Sequence, residues 1–289
     1  MFGVSPAYFL SLFSPDFTIP DVCAGLANIA GSGFTYIELE TFTSDQLSRW
    51  TDSDTGALSA RIAELDLQVS QFVAHHLMRY FTRPSLFHKP LLFSDFERLV
   101  HIASQFESCR VVTIPQPEFH ADTNLRPDTY RKIRESFLSS LSRLRDIAAG
   151  ASLTLALEIM PGSLIGSSDG FLTVSEAIGS PRLAYNFDTG HAWACKEAVE
   201  LIPLKLGRYI AGTHLSDNFG RENLSLAPGK GSIPWAGVFS SLQAAGYSGP
   251  FDIEIRCGAE AVQSEYSSAL QFLNKIFHEV LEVNNAAKS

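Results

Sequence analysis

Eight short apolar runs, each followed by a helical or looping stretch that brings the chain back for the next, constrain this sequence more than any single residue. The runs are Phe2–Ser5, Phe34–Leu39, Leu67–Ala74, Arg110–Ile114, Leu153–Glu158, Leu183–Asp188, Tyr209–His214 and Phe251–Ile255. Apolar runs of this length bounded by turn residues read as buried strands. Helical segments are expected near 20–30, 57–65, 92–107, 128–149, 173–178, 192–201, 236–245 and 260–283. Loops are expected at 116–127 and 216–234, with Pro115 and Pro117 stopping the fourth strand. Strands alternating with helices imply a parallel sheet, because the crossover helix returns the chain to the same edge. Eight such units close into a (β/α)8 TIM barrel, here one α/β domain over residues 1–289. A doubly wound dinucleotide-binding sheet would need a G-x-G-x-x-G after the first strand, and none is there.

The composition fits a chain with one large core: 45% of residues are hydrophobic and 18% charged. The net charge is 22 − 31 = −9, with no basic run, which argues against a nucleic-acid backbone as partner. Cys23, Cys109, Cys195 and Cys257 lie far apart without a C-x-x-C pair, as expected of reduced thiols in a cytoplasmic protein. The N-terminus lacks a positive region and is interrupted by Pro6 and Pro15, making a poor signal peptide. No run of about 18 apolar residues exists, so no membrane span is expected.

In a barrel of this kind, chemistry sits at the C-terminal ends of the strands. The last four runs end there on Glu158, Asp188, His214 and Glu254. Any one of these alone reads equally well as a loop residue or a helix cap, Asp188 above all, since a helix starts near Gly190-His191. Four on consecutive strands form a hard, oxygen-rich ligand set for one divalent ion, Mn, Co or Mg, with Zn as an alternative.

The segment Asn186-Phe187-Asp188-Thr189-Gly190-His191-Ala192 resembles the D-x-G-H-A segment of the xylose isomerase-like barrel superfamily. Gly212–Asn218 and Pro228–Trp235 are similar to its H-x-x-D-N and P-G-x-G-x-I-x-W segments. The resemblance implies Glu158, Asp188, His214 and Glu254 as metal ligands, with His191 lining the substrate site. It implies a small sugar or polyol as partner, and dimers or tetramers occur among its members. Arg256 shares the side-chain parity of Glu254 and is expected to hold a substrate oxygen or pair with a ligand carboxylate. Of the adjacent His75 and His76, only one should face the mouth, and His76 is favoured as substrate-binding. Phe81, Phe87, Phe119, Trp193 and Phe219 are candidates for the pocket wall, and the Gly229-Lys230-Gly231 turn is a weak candidate for phosphate binding.

This constellation suits a metal-dependent isomerase or epimerase working through an enediolate, with Glu158 and Glu254 as acid and base. Dehydration of an inosose-like or dehydroshikimate-like substrate is the alternative fate of the same intermediate. An endonuclease IV-like nuclease is disfavoured. That branch places an Asp-x-His pair before the Gly-x-Gly turn, whereas this chain reads Asn223-Leu224-Ser225-Leu226-Ala227-Pro228, and His120 alone cannot complete a three-metal cluster. Many sugar-directed members place a His just before Pro-Gly, where this chain has Ser225 nearby.

Overall fold

A computed structural model of the chain describes residues 1–122 and 125–286. The strands are β1 (Phe2–Val4), β2 (Tyr36–Glu40), β3 (Gln68–Val73), β4 (Val111–Gln116), β5 (Thr154–Ile159), β6 (Leu183–Asp188), β7 (Ile210–Leu215) and β8 (Phe251–Ile253). They close in chain order into one barrel, each parallel to its neighbours, with β1 paired to β8. This is the expected TIM barrel in a single domain.

The helices in order are α1 (Ala7–Phe13), α2 (Ile19–Gly31), α3 (Ser44–Ser48), α4 (Asp52–Glu64), α5 (Pro90–Ala103), α6 (Thr129–Gly150), α7 (Ser168–Ile178), α8 (Thr189–Ala194), α9 (Ile202–Leu206), α10 (Trp235–Ala244) and α11 (Val262–Ala286). Several crossovers therefore carry two helices rather than one. The continuous helix expected over 192–201 is instead α8 and α9. Lys196, at φ 65°, turns the chain out of the right-handed helical region, and Pro203 restarts it near the head of α9. Pro115 does not end β4. The carbonyl of Thr113 accepts from Ala74 N on the β3 side, so the missing N–H of Pro115, two residues on, faces a side where β3 has already ended. The loop expected at 116–127 includes residues 123 and 124, which lie outside the described residues.

Outward strand residues pack against the helices. At the N-terminal end of the barrel, Phe2, Phe251, Phe239 of α10 and Phe277 of α11 form one aromatic cluster, with ring centroids 5.2–6.5 Å apart. The interior below the mouth is more polar than strand ends alone would require. Gln71 Nε2 donates to Asn186 Oδ1 at 3.1 Å, and Thr113 donates to Gln71 Oε1. Gly212 makes that cross-barrel bond sterically feasible, because a Cβ there would lie 2.5 Å from Asn186 Oδ1 and 2.9 Å from Gln71 Nε2.

Candidate metal centre and substrate cavity

Strand parity and strand length together deliver the site. Inward positions on β5 to β7 end in Glu158, Asp188 and His214, while Glu254 follows the last residue of β8. Each offers one ligand atom, and these atoms lie within 4.8 Å of one another. Among the described residues this is the one group of three or more His, Cys, Asp or Glu side chains able to hold an ion.

Asp188 joins the two roles that its sequence position left open. Its Oδ1 caps α8 by accepting from His191 N at 2.7 Å, while its buried Oδ2 has no hydrogen-bond partner. Glu254 Oε2 is likewise buried and without a partner. Two buried carboxylate oxygens without hydrogen bonds, met by the imidazoles of His214 and His191 only at 3.5–3.9 Å, suit a cation between them. The electrostatics agree. Burial pushes Asp188 up to about 7, and the Glu158 charge adds to it. Burial also pushes Glu254 up to about 7, with Asp188 and Glu158 repelling its charge. Glu158 runs the other way: burial opposes its charge, but the charge and hydrogen bond of His214 outweigh it and hold the carboxyl at about 2. His214 Nδ1 stands 3.2 Å from Glu158 Oε1, 3.5 Å from Glu254 Oε2 and 3.9 Å from Asp188 Oδ2. Three carboxylates and one imidazole are a donor set suited to a hard or borderline divalent ion, and the residues fit one.

Above the cluster opens a cavity of about 240 Å³ lined by His191, His75, Glu40, Arg256, Asn223 and Ser225, with Leu10, Phe42, Met160 and Leu224 as apolar wall. His191 Nε2 lies 3.5 Å from both Glu158 Oε1 and Asp188 Oδ2. Its tautomer follows from its neighbours. Asn223 Oδ1 accepts from Ser225 N at 3.1 Å, so Asn223 Nδ2 faces His191 Nδ1 at 3.2 Å and donates to it. That leaves Nε2 carrying the hydrogen toward the cluster.

His75, not His76, is the member of the pair that faces the cavity. His75 Nδ1 bonds Glu40 Oε1 at 2.8 Å, and its ring packs on Phe42 at 4.8 Å. The preference for His76 is therefore corrected. The chain turns into a 3-10 helix over His75–Phe81 directly after β3, so parity along the strand does not carry through. His76 is folded back, with Nδ1 2.8 Å from Thr41 Oγ1. Arg256 is exposed on the cavity wall, and among the described residues it pairs with no carboxylate. The pairing with a ligand carboxylate is thus not formed.

The expected aromatic wall is also different: none of the five aromatic candidates lines the cavity. Phe81 and Phe87 pack on Phe137 of α6, Phe119 stacks on Phe87, Trp193 donates to Ser232 Oγ, and Phe219 is exposed. His120 is exposed beside Glu118 rather than near the cluster.

The Pro228–Trp235 turn has a structural task. Buried Asp217 accepts from Asn218 N at 2.9 Å, Ile233 N at 3.1 Å, Gly229 N at 2.9 Å and Trp235 Nε1 at 3.0 Å. Lys230 pairs with Glu265 at 2.6 Å. Gly229 N and Ile233 N are committed to Asp217, Lys230 N to Ala227 O and the Lys230 ammonium to Glu265, which argues against the phosphate-binding reading.

Sequence reasoning missed Glu38 and Glu40, both inward on β2. Glu38 is fully buried, with Oε1 and Oε2 at 2.9 and 3.1 Å from His214 Nε2. A signal was present: Tyr36-Ile37-Glu38-Leu39-Glu40 puts two carboxylates on one face of a buried strand, and such charges require partners.

Comparison with known proteins agrees with this geometry. Over 159 residues the chain is 30% identical to uncharacterized protein MJ1311 of Methanocaldococcus jannaschii, covering 53% of this chain and 51% of that protein. The chain thus spans about half the length of that relative. It is 25% identical over 231 residues to the L-ribulose-5-phosphate 3-epimerase UlaE of Escherichia coli, covering 77% of this chain and 78% of that protein. A solved L-ribulose 3-epimerase superposes with a TM-score of 0.78 at 19% identity, covering 100% of this chain and 98% of that one. At that identity the likeness speaks for the fold. With the barrel closed and its candidate ligand residues at four consecutive strand ends, the match of residues 26–276 to the family profile shows that the chain belongs to the xylose isomerase-like TIM barrel family.

Proposed function

We propose that the chain is a divalent-metal-dependent epimerase or isomerase of a small ketose or polyol ketone. The observation that carries this reading is the pair of buried, unpartnered oxygens, Asp188 Oδ2 and Glu254 Oε2, within a four-residue ligand group under a small polar cavity. Glu158, Asp188, His214 and Glu254 would hold the ion. When bound, the ion supplies positive charge that stabilises negative charge developing on substrate oxygens as a carbon-bound proton leaves. Mn, Co or Mg fits the oxygen-rich set, and Zn is also compatible with it.

The chain's own residues do the rest. Glu158 and Glu254 come from strands separated by two others and serve as the acid–base pair, one removing the proton and the other returning it. His191 donates its Nε2–H to a substrate oxygen beside the cluster, held in that tautomer by Asn223. His75 and Arg256, which line the same cavity, meet the more distant substrate hydroxyls. Return of the proton to the other face of the same carbon gives an epimer, and the relation to UlaE favours that outcome over isomerisation. Loss of a β-hydroxyl is the lyase alternative. Four free thiols are compatible with a cytoplasmic setting, and among the described residues no helix is long and apolar enough to cross a membrane.

The test is solvent-deuterium incorporation into ketopentoses, ketohexoses and inososes, followed by NMR for wild type and Glu254→Gln. The expected result is exchange and epimer formation in wild type, reduced about 10²- to 10⁴-fold in the variant. Dehydrated product instead of an epimer would move the assignment to the lyase reading. Equal exchange in the variant would remove Glu254 from its role.

A further inference from the structure

We infer that Glu38 is a positioning residue for the ion-binding histidine: its carboxylate holds the Nε2–H of His214, so that Nδ1 is the ring atom presented to the ion. The inference rests on the ion-binding half of the proposed function and requires nothing of the sugar chemistry.

Both Glu38 oxygens approach His214 Nε2, at 2.9 and 3.1 Å. Nε2 carries a ring hydrogen toward Glu38, and the hydrogen that Nδ1 shares with Glu158 in the metal-free cluster is the one an ion at Nδ1 would displace. Nδ1 is the nitrogen that faces Glu158, Glu254 and Asp188. The contact crosses the barrel interior, since β2 and β7 are separated by β8 and β1 in the closed order. Glu38 is fully buried, and among the described residues His214 is the one cationic group within ion-pair distance of it. It is not among the four residues of the ligand group and does not line the cavity, so it acts through His214. A carboxylate behind a ligating histidine fixes ring orientation and raises ligand basicity, and losing such a partner typically weakens metal binding by about 10- to 100-fold. Without Glu38 the ring is free to rotate about its bond to Cβ, and the nitrogen offered to the ion is no longer specified.

The experiment uses Co2+ alone as probe, with calorimetric titration and the ligand-field absorption of bound Co2+. It compares wild type, Glu38→Gln and Thr113→Val, the last a buried polar change that touches Gln71 and not His214. Glu38→Gln is expected to bind Co2+ about 10- to 100-fold more weakly with shifted absorption bands, while Thr113→Val binds as wild type does. Wild-type affinity and spectrum in a folded Glu38→Gln would overturn the inference. If that variant does not fold, nitrogen-15 NMR of the wild-type histidines with Zn2+ decides. Metal on His214 Nδ1 with a hydrogen on Nε2 supports the assignment; metal on Nε2 overturns it. A wild-type chain that binds no Co2+ overturns it as well. Absence of ketose turnover would sink the sugar reading alone, since no sugar enters this experiment.

Discussion

Asp188 and Glu254 are each pushed up to about 7 by burial and by neighbouring carboxylates, so below that pH protons compete with an ion for the same oxygens. Metal affinity should therefore tighten as pH rises from about 6 to 8, with proton release on binding. Calorimetric titration with Mn2+ in buffers of different ionisation enthalpy measures both, and an affinity flat across that range would contradict the account. His76 gives a second pH effect, this one on stability. Burial lowers its pKa to about 4, against roughly 6.5 for an unfolded histidine. The unfolded chain takes up the proton first, so the stabilising effect of neutral His76 is complete above about 6.5 and is lost as pH falls toward 4. The loss is about 3 kcal/mol. The fall in urea stability between pH 7.5 and 4.5 should be smaller by about that amount in His76→Gln, and an unchanged pH slope would refute the assignment. At this scale the sequence was informative about which four residues cluster and poor about their support. Glu158, Asp188, His214 and Glu254 end apolar runs, a pattern visible without coordinates. The choice between His75 and His76 depended on a turn just past β3, and the role of Glu38 on a partner 176 residues away. The first leaves no local signature, and the second leaves only two carboxylates on one face of a buried strand, which call for partners without naming them.

Among the elements, β7 combines two demands. His214 brings a candidate ligand to its end, and Gly212, two residues earlier on the same face, leaves room for the Gln71–Asn186 bond across the interior. Gly212→Ala is expected to displace that bond and cost about 1–3 kcal/mol, through overpacking and an unsatisfied amide. Urea unfolding measures it, and a neutral substitution would show that the polar layer is more pliable than described. The strands themselves were readable as apolar runs between turns. Helix ends were less so, because Lys196 at positive φ and the Ser167 cap of α7 act through backbone conformation that residue types only hint at. The Pro228–Trp235 turn shows the same limit. Its glycines and lysine look like an anion cradle in sequence, yet Asp217 takes Gly229 N and Ile233 N, and Glu265 takes the lysine.

Across the whole molecule, stability and chemistry sit at opposite ends of the barrel. The aromatic cluster around buried Phe239 closes the N-terminal end, while the candidate ligands and cavity occupy the other. Phe239→Ala should cost about 3–5 kcal/mol in unfolding free energy and leave Co2+ affinity unchanged in the folded protein. A large loss of affinity would mean that the two ends are coupled. The closed order of eight parallel strands followed from alternation alone, whereas the polar interior beneath the mouth did not, because its hydrogen bonds join strands distant in sequence.

The most direct measurement of the central claim is deuterium incorporation into a ketose panel as Mn2+ or Co2+ is added stepwise to metal-stripped protein. No exchange is expected in the stripped chain, followed by a rise that levels off at one ion per chain. Exchange that is indifferent to metal, or none at any loading, would contradict it.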